Sequence, residues 1–501
     1  MTNARALSKD WFRQNGYIIF PLLAFAIPLI MRAVPEILMG QYVTGFDTMA
    51  YFVPDTLGWI KGGINPLQFL SLAPLLYMLL IGTTSVGASI IFTLKVLGPL
   101  LLGLLGLTVY FYAHKALSWS PKKSLLVAML ATLYFVALRI SWDMFRSEIA
   151  TILLFVTLVF LAKNKLSLKS GVLLSVSMFL IVLDHQLITI IMFVIVLATL
   201  AGLYSRKRKI ELRKLIVVSI PAAILFLTMV YIDFFIYSSP FFGTSLTTSS
   251  GLPATTSYLG AVANTLGFFV FCFLPLIPLL ILGAQYFKSN LQLKAWMIWT
   301  SIPVVLAIAV PSSFLGGVFP YRWIMLLTYP LAFYVVEGLS RIKWKWPKIA
   351  VCIIMALLVG TLSVGFLVGQ NSTAFGYFGT YPSYIPKSML QNTVPASDTQ
   401  DTTNALIWAQ TNIPTNGRLL VHEAFYGWGT LYFNTSQLIP YGFLNPENIA
   451  HQQFAINSSN PIYLIWWVNG TGWYGQATTP SSFQEVYRSG NIALFNYTAN
   501  Q

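Results

Sequence analysis

Charge is what this chain lacks most. Only 9% of its 501 residues are charged, against about 25% in a soluble domain. That scarcity, with 56% hydrophobic residues and a mean hydropathy of +0.70, excludes an ordinary soluble globular protein. Cysteine is nearly absent too. Cys272 and Cys352 both fall inside apolar stretches, which excludes a disulfide framework and a cysteine zinc site. No internal repeat or low-complexity tract breaks the chain. The first apolar stretch follows a basic segment (Arg5, Lys9, Arg13) and lacks a small-residue cleavage site, so it reads as an uncleaved anchor.

What the chain does have is apolar stretches of about 20 residues, the length that spans a bilayer. They predict a polytopic α-helical membrane protein with about eleven transmembrane helices, at 17–38, 87–112, 124–140, 149–163, 170–184, 187–204, 215–236, 261–287, 295–311, 323–340 and 349–369. Residues 66–82 are also apolar, but Pro66 and Pro74 interrupt them, so they read as a surface-lying or re-entrant element. Under this topology twenty-one of the 30 Lys and Arg residues face the cytoplasm, and twelve of the 15 acids face outward. The positive-inside rule then puts the N-terminus in the cytoplasm and the C-terminal domain outside the plasma membrane. The net charge of +15 marks cytoplasmic loops and calls for no nucleic-acid partner.

The domain reading follows. Residues 1–369 form the membrane domain, with outer loops at 39–86 and 139–148. Residues 370–396, rich in Gly, Tyr, Pro and Ser, form a linker. Residues 397–501 predict a small α/β extracytoplasmic domain: a helix at 402–412 capped by Asp401, strands at Arg418–His422 and Ile462–Val468 and near Ile492–Tyr497, and a helix near Pro446–Ile456. Five Asn-x-Ser/Thr sites, at Asn371, Asn434, Asn457, Asn469 and Asn496, all follow the last span and are glycosylation candidates. The Thr/Ser/Gly-rich loop 238–258 reads as a flexible outer loop and a candidate lid.

The polar residues outside the cytoplasmic loops gather at the outer ends of the spans. The first outer loop carries Gly45-Phe46-Asp47-Thr48-Met49-Ala50-Tyr51, then Asp55 and Lys61; Glu36 ends the first span. Lys95 stands near the outer end of the second span. The second outer loop runs Arg139-Ile140-Ser141-Trp142-Asp143-Met144-Phe145-Arg146-Ser147-Glu148, in which a helix would put Arg139, Asp143 and Arg146 on one face. Asp184 and His185 end the fifth span, and Arg322 begins the tenth. A carboxylate at membrane depth is expensive unless it is used. Acids suit general-base work or a metal; cations at headgroup depth suit a lipid phosphate. Each also has a plainer reading: a turn cap for Asp47, a helix cap for Asp55, an ion-pair ladder for Arg139, Asp143 and Arg146, a snorkelling Lys95, a helix-end His185 and an interfacial Arg322.

In layout this chain resembles the GT-C superfamily of membrane glycosyltransferases, in its protein mannosyltransferase and aminoarabinose transferase branch, and is similar to archaeal members. The features that carry the resemblance are the acid in Gly-Phe-Asp-Thr-Met-Ala-Tyr, the Pro-rich surface helix after it, the cation in the second span, the loop Trp-Asp-Met-Phe-Arg-Ser-Glu and the tail domain. The resemblance implies a polyprenyl (dolichyl)-phosphate-linked sugar donor, a glycan, protein or lipid acceptor, transfer on the outer face, and inversion. It implies Asp47 as the base that deprotonates the acceptor, and Asp143 or Glu148 as the second-loop acid. Lys95 and Arg322 would face the donor phosphate, joined by Arg139, Arg146 and His185. Many family members carry a second acid beside the first; here Thr48 follows Asp47. A divalent metal, magnesium or manganese, with Asp47 and Asp143 as ligands, is therefore left open. A transporter or flippase of lipid-linked or anionic solutes is the alternative, though it predicts midplane charges and repeats. Trp466-Trp467-Val468-Asn469-Gly470 resembles an oligosaccharyltransferase motif, with Val468 in place of its acid; the plainer reading is an aromatic strand end.

Overall fold

The computed structural model describes residues 2–163, 165–236, 258–286, 290–309, 320–343, 345–368, 392–441, 445–456, 460–468 and 479–498. Its membrane helices are α1 (Thr2–Leu38), α5 (Ile90–Phe111), α6 (Pro121–Leu133), α7 (Phe135–Asp143), α8 (Phe145–Leu161), α9 (Leu168–Asp184), α10 (Gln186–Ser205), α11 (Lys209–Tyr231), α12 (Tyr258–Phe273), α13 (Ile277–Tyr286), α14 (Leu291–Ala309), α15 (Pro320–Leu326), α16 (Thr328–Arg341) and α17 (Lys345–Val368). Between α1 and α5 lie a π-helical turn (Thr48–Phe52) and three short helices, α2 (Val53–Gly62), α3 (Pro66–Ser71) and α4 (Leu75–Ser85).

Helix occupies each of the eleven expected places. Seven helices of the described residues are long and apolar enough to cross a membrane, or eight if α6 and α7, bent by 60° at Tyr134, are one span. The rest fall short of the expected eleven full crossings: α8 and α9 have 17 residues each, near the lower limit for a span. Residues 66–82 make no crossing. Pro66 starts α3 at a position where its missing N–H costs nothing, capped by Asn65, and Ala73 at φ 52 with Pro74 separates α3 from α4.

The second outer loop departs from the expected single helical face. Arg139 and Asp143 do sit one turn apart and pair. Met144 then leaves the helical region at φ −89, ψ 50, α7 ends and α8 starts in a new direction. Arg146 therefore belongs to the first turn of α8 and leaves the face shared by Arg139 and Asp143.

The tail domain is a five-stranded sheet of order β2-β1-β3-β5-β4, from β1 (Arg418–Val421), β2 (Leu438–Pro440), β3 (Ile462–Trp467), β4 (Phe483–Ser489) and β5 (Ile492–Tyr497). β1 pairs in parallel with β2 and β3, while β3, β5 and β4 run antiparallel. Its helices are α18 (Thr399–Asn412), α19 (Glu423–Thr430) and α20 (Pro446–Ile456). Helix α18 begins three residues earlier than expected, with Asp398 and not Asp401 at the cap position. The Asp401 carboxylate accepts instead from Ser489 Oγ at 2.9 Å and the Asn491 amide at 3.4 Å, tying α18 to the β4–β5 hairpin. The tail is not a detached module. One hydrophobic core runs from Val43, Met49, Phe52 and Leu94 through Phe145 into Phe425, Trp428 and Trp466, so the first outer loop and the tail bury their apolar side chains together.

Candidate active site

Four residues, Thr44 to Asp47, form the floor of the site and are fixed from three sides. Gly45 has φ +113, and a Cβ there would lie 2.4 Å from Thr48 Oγ1 and 2.7 Å from Asp143 Cβ, so only glycine fits. From the end of the linker, just before the tail, Asn392 Oδ1 accepts the Gly45 amide at 2.8 Å. From α7, Asp143 Oδ2 accepts the amides of Phe46 at 2.8 Å and Asp47 at 3.2 Å. From α1 comes a buried arginine. Arg32 donates to Glu36 at 2.8 Å, to Thr44 Oγ1 at 3.1 Å, and to the carbonyls of Ser141 at 3.2 Å and Trp142 at 3.0 Å. Its guanidinium also stacks 4.9 Å from the Trp142 ring centre. The floor is thus built on charge-assisted bonds in a dry interior, where they hold geometry most firmly.

Asp47 is half-buried just before the π-helical turn. Burial pushes its carboxyl up, Asp143 pushes it further, and Arg322, Arg139 and Arg146 pull it back, leaving it at about 7. Such a group exchanges a proton near neutrality, as a general base should. Tyr51, on the same turn and 44% exposed, lies in the fields of Asp47, Glu423 and Arg322. Asp55, in the first turn of α2, accepts the Tyr77 hydroxyl at 2.8 Å; burial raises its carboxyl, and Tyr77 and Arg146 offset part of that.

The cations divide into two groups. Arg146 donates its Nε to the Asp184 carbonyl at 2.9 Å, and its charge reaches Asp47 and Asp55. Arg322 lines a narrow crevice with Ser147, Ile140, Met144, Leu187, Met325 and Leu326. These two arginines border Asp47 and suit an anion. Lys95 and Arg139 are each committed to a partner within the protein. The Lys95 ammonium donates to the Glu36 carbonyl at 2.6 Å and to the Tyr42 carbonyl, beside Glu36 Oε2 at 3.9 Å, capping the end of α1. Arg139 is paired with Asp143. His185 caps α10: its Nδ1 accepts the Ile188 amide at 3.4 Å, which assigns the proton to Nε2, 2.8 Å from Ser147 Oγ. That histidine is a neutral helix cap.

The remaining second-loop acid, Glu148, is fully buried, and among the described residues neither of its carboxylate oxygens has a hydrogen-bond partner. It lies in the fields of Arg32 and Tyr329, away from the groups that act on Asp47. An Asp47–Asp143 metal site does not fit this donor set. Both Asp143 oxygens are occupied by Arg139 and two amides, and among the described residues no three His, Cys, Asp or Glu side chains converge.

The tail closes the site over the turn that carries Asp47. A Cβ on Gly427 of α19 would lie 1.5 Å from the Met49 carbonyl oxygen. Tyr42 donates its hydroxyl to Gln400 at 2.7 Å, and Lys61 caps the end of α19 at Thr430 and Phe433, each at 3.4 Å. Trp466 and Trp467 are buried in β3, with Trp467 Nε1 donating to Asp398 at 2.8 Å; they pack the tail's core, as the plainer reading of that motif expects. Of the sequons, Asn434 is exposed, whereas Asn496 sits half-buried in β5, paired on both sides. Asn371, Asn457, Asn469, most of the linker and nearly all of loop 238–258 lie outside the described residues.

Sequence reasoning missed Arg32, Asn392 and Tyr77. Arg32 was legible, as a lone charge inside an apolar span four residues before Glu36. Nothing local marks Asn392.

No protein family and no curated protein matches the sequence. The three-dimensional arrangement does match the crystal structure of ArnT from Cupriavidus metallidurans in the apo state, with a TM-score of 0.54 and 14% identity, over 98% of this chain and 100% of that one. Together with the helical membrane domain and the small sheet at its end, that likeness gives the protein an ArnT-like fold.

Proposed function

We propose that the protein is a GT-C-type membrane glycosyltransferase. In this reading it takes a sugar from a polyprenyl-phosphate donor and passes it, with inversion, to a glycan, protein or lipid acceptor at the outer face of the plasma membrane. The observation that carries this reading is the placement of Asp47. It sits on a backbone fixed from three sides, with a carboxyl near neutrality and Arg146 and Arg322 beside it, in an ArnT-like fold over 98% of the chain.

The chemistry needs little more. The acceptor hydroxyl gives its proton to Asp47 as its oxygen attacks the anomeric carbon from the face opposite the phosphate. The bond from that carbon to the phosphate oxygen breaks, and the phosphate stays on the lipid. Arg146 and Arg322 neutralise the charge that develops there. Asp55, held by Tyr77 and in the field of Arg146, suits the acceptor's hydroxyls. No step is assigned to a metal.

Incubating membranes with radiolabelled polyprenyl-phosphate sugars and a panel of acceptors tests the reading. Label should move to an acceptor in the native protein and stay on the lipid in Asp47→Asn. Undiminished transfer by that variant, expressed at normal level, overturns the assignment.

A further inference from the structure

Asp143 is, with Glu148, one of the two acids that the resemblance would send to the acceptor or to a metal, yet its surroundings commit it elsewhere. It is wholly buried. One oxygen is paired with Arg139, and the other accepts the amides of Phe46 at 2.8 Å and Asp47 at 3.2 Å. Gly45 presses so close that a Cβ there would stand 2.7 Å from Asp143 Cβ. No face of the carboxylate is left for a substrate.

We propose that Asp143, paired with Arg139, is a positioning residue: it clamps the peptide that carries Asp47 and governs the charge state of Asp47 without touching substrate. Clamp and charge come from one group because a carboxylate that accepts the amide of a neighbouring acid is necessarily close to that acid's side chain. The groups facing Asp47 are Asp143 and Arg139 from α7, Arg146 from α8 and Arg322 from α15. Tyr51 on its own turn and Tyr77 on α4 complete the set, with Glu423 of α19 acting on Tyr51. Asp143 is the acid among those acting on Asp47, and it raises the Asp47 carboxyl while Arg139 lowers it. The pair's two members therefore have opposite effects on one proton. This inference uses the proposed function only to give that proton a catalytic meaning.

Infrared titration of the purified protein in lipid nanodiscs reads the proton directly, with the Asp47 carboxyl band identified by its loss in Asp47→Asn. The native midpoint is expected near about 7. Asp143→Asn, which keeps an oxygen for the two amides, should lower the midpoint by about one unit or more. Should that variant fail to fold, Asp143→Asn with Arg139→Gln removes both buried charges at once, and a lowered midpoint is expected because the Asp143 effect is the larger. Exchange of the Phe46 and Asp47 amides should quicken in Asp143→Ala and stay slow in Asp143→Asn. An unmoved midpoint overturns the proposal, since a merely structural brace would slacken the loop without moving the proton. The titration needs no substrate, so absence of sugar transfer would count against the proposed function alone.

Discussion

Asp47 is half-buried beside one acid and three arginines, so its response to pH is the most direct consequence of the site. With the carboxyl near about 7, kcat/KM for transfer should rise through neutrality and level off above it, as the basic form accumulates. Stability should run the other way. The folded value is raised above the ordinary 3.8, so the folded state holds its proton more tightly than the unfolded chain does. The contribution is fully present below 3.8 and is lost as pH rises to about 7. Thermal denaturation of Asp47→Asn in detergent should therefore depend less on pH across that window than the native protein does. Arg32 makes a second prediction. Replacing it with Gln removes charge-assisted bonds to Glu36 and to the second outer loop and leaves Glu36 buried with Lys95 at 3.9 Å as its remaining ion pair. The cost should be about 3–5 kcal/mol, read as a loss of folded protein after purification.

At the scale of elements, the sequence was most readable where apolar length decides structure. Helix stands at every expected span, because about 20 apolar residues have no other low-energy state in lipid. It was least readable where elements are short or broken without Gly or Pro. The sequence separated the two spans by a loop at 139–148, but the turn at Met144 carries no breaker, so a helix over that loop, with Arg146 on the face of Arg139 and Asp143, could not be told from the bend that is there. In the tail, β1, β3 and β5 were legible as apolar runs. β4 was not: it is an edge strand, exposed over much of its length, and its Glu485, Val486 and Arg488 hide the alternation. β2 has three residues, too few for any pattern. Candidate residues fared the same way. Asp47 could be picked out as a costly carboxylate, but the commitment of Lys95 to the end of α1 depends on carbonyls that sequence does not locate. An element-scale prediction follows from Gly427. Gly427→Ala sets a methyl against the Met49 carbonyl and must push α19 off the π-helical turn. Transfer should fall by about tenfold or more, since a misplacement near 1 Å suffices for that, while circular dichroism of the helices stays unchanged.

For the molecule as a whole, the shared core joining the first outer loop to the tail makes two domains of the sequence into one body. Cutting the chain within 370–391 should therefore leave the tail bound, because Asn392, Gln400, Thr430 and Phe433 all hold the membrane domain; co-purification of the two pieces on one affinity tag checks this. Deleting the tail should abolish transfer even though Asp47, Arg146 and Arg322 all remain.

The bond from Asn392 to Gly45 bears also on how the protein comes into being. The first outer loop emerges early in synthesis, whereas its anchor lies 347 residues further along the chain. Until that late segment has been made and has folded, Gly45 has no partner for its amide and the turn that carries Asp47 has no outer wall. On the proposed function, a nascent chain that already threads most of its helices cannot yet hold Asp47 in place, and competence waits on the segment that carries Asn392.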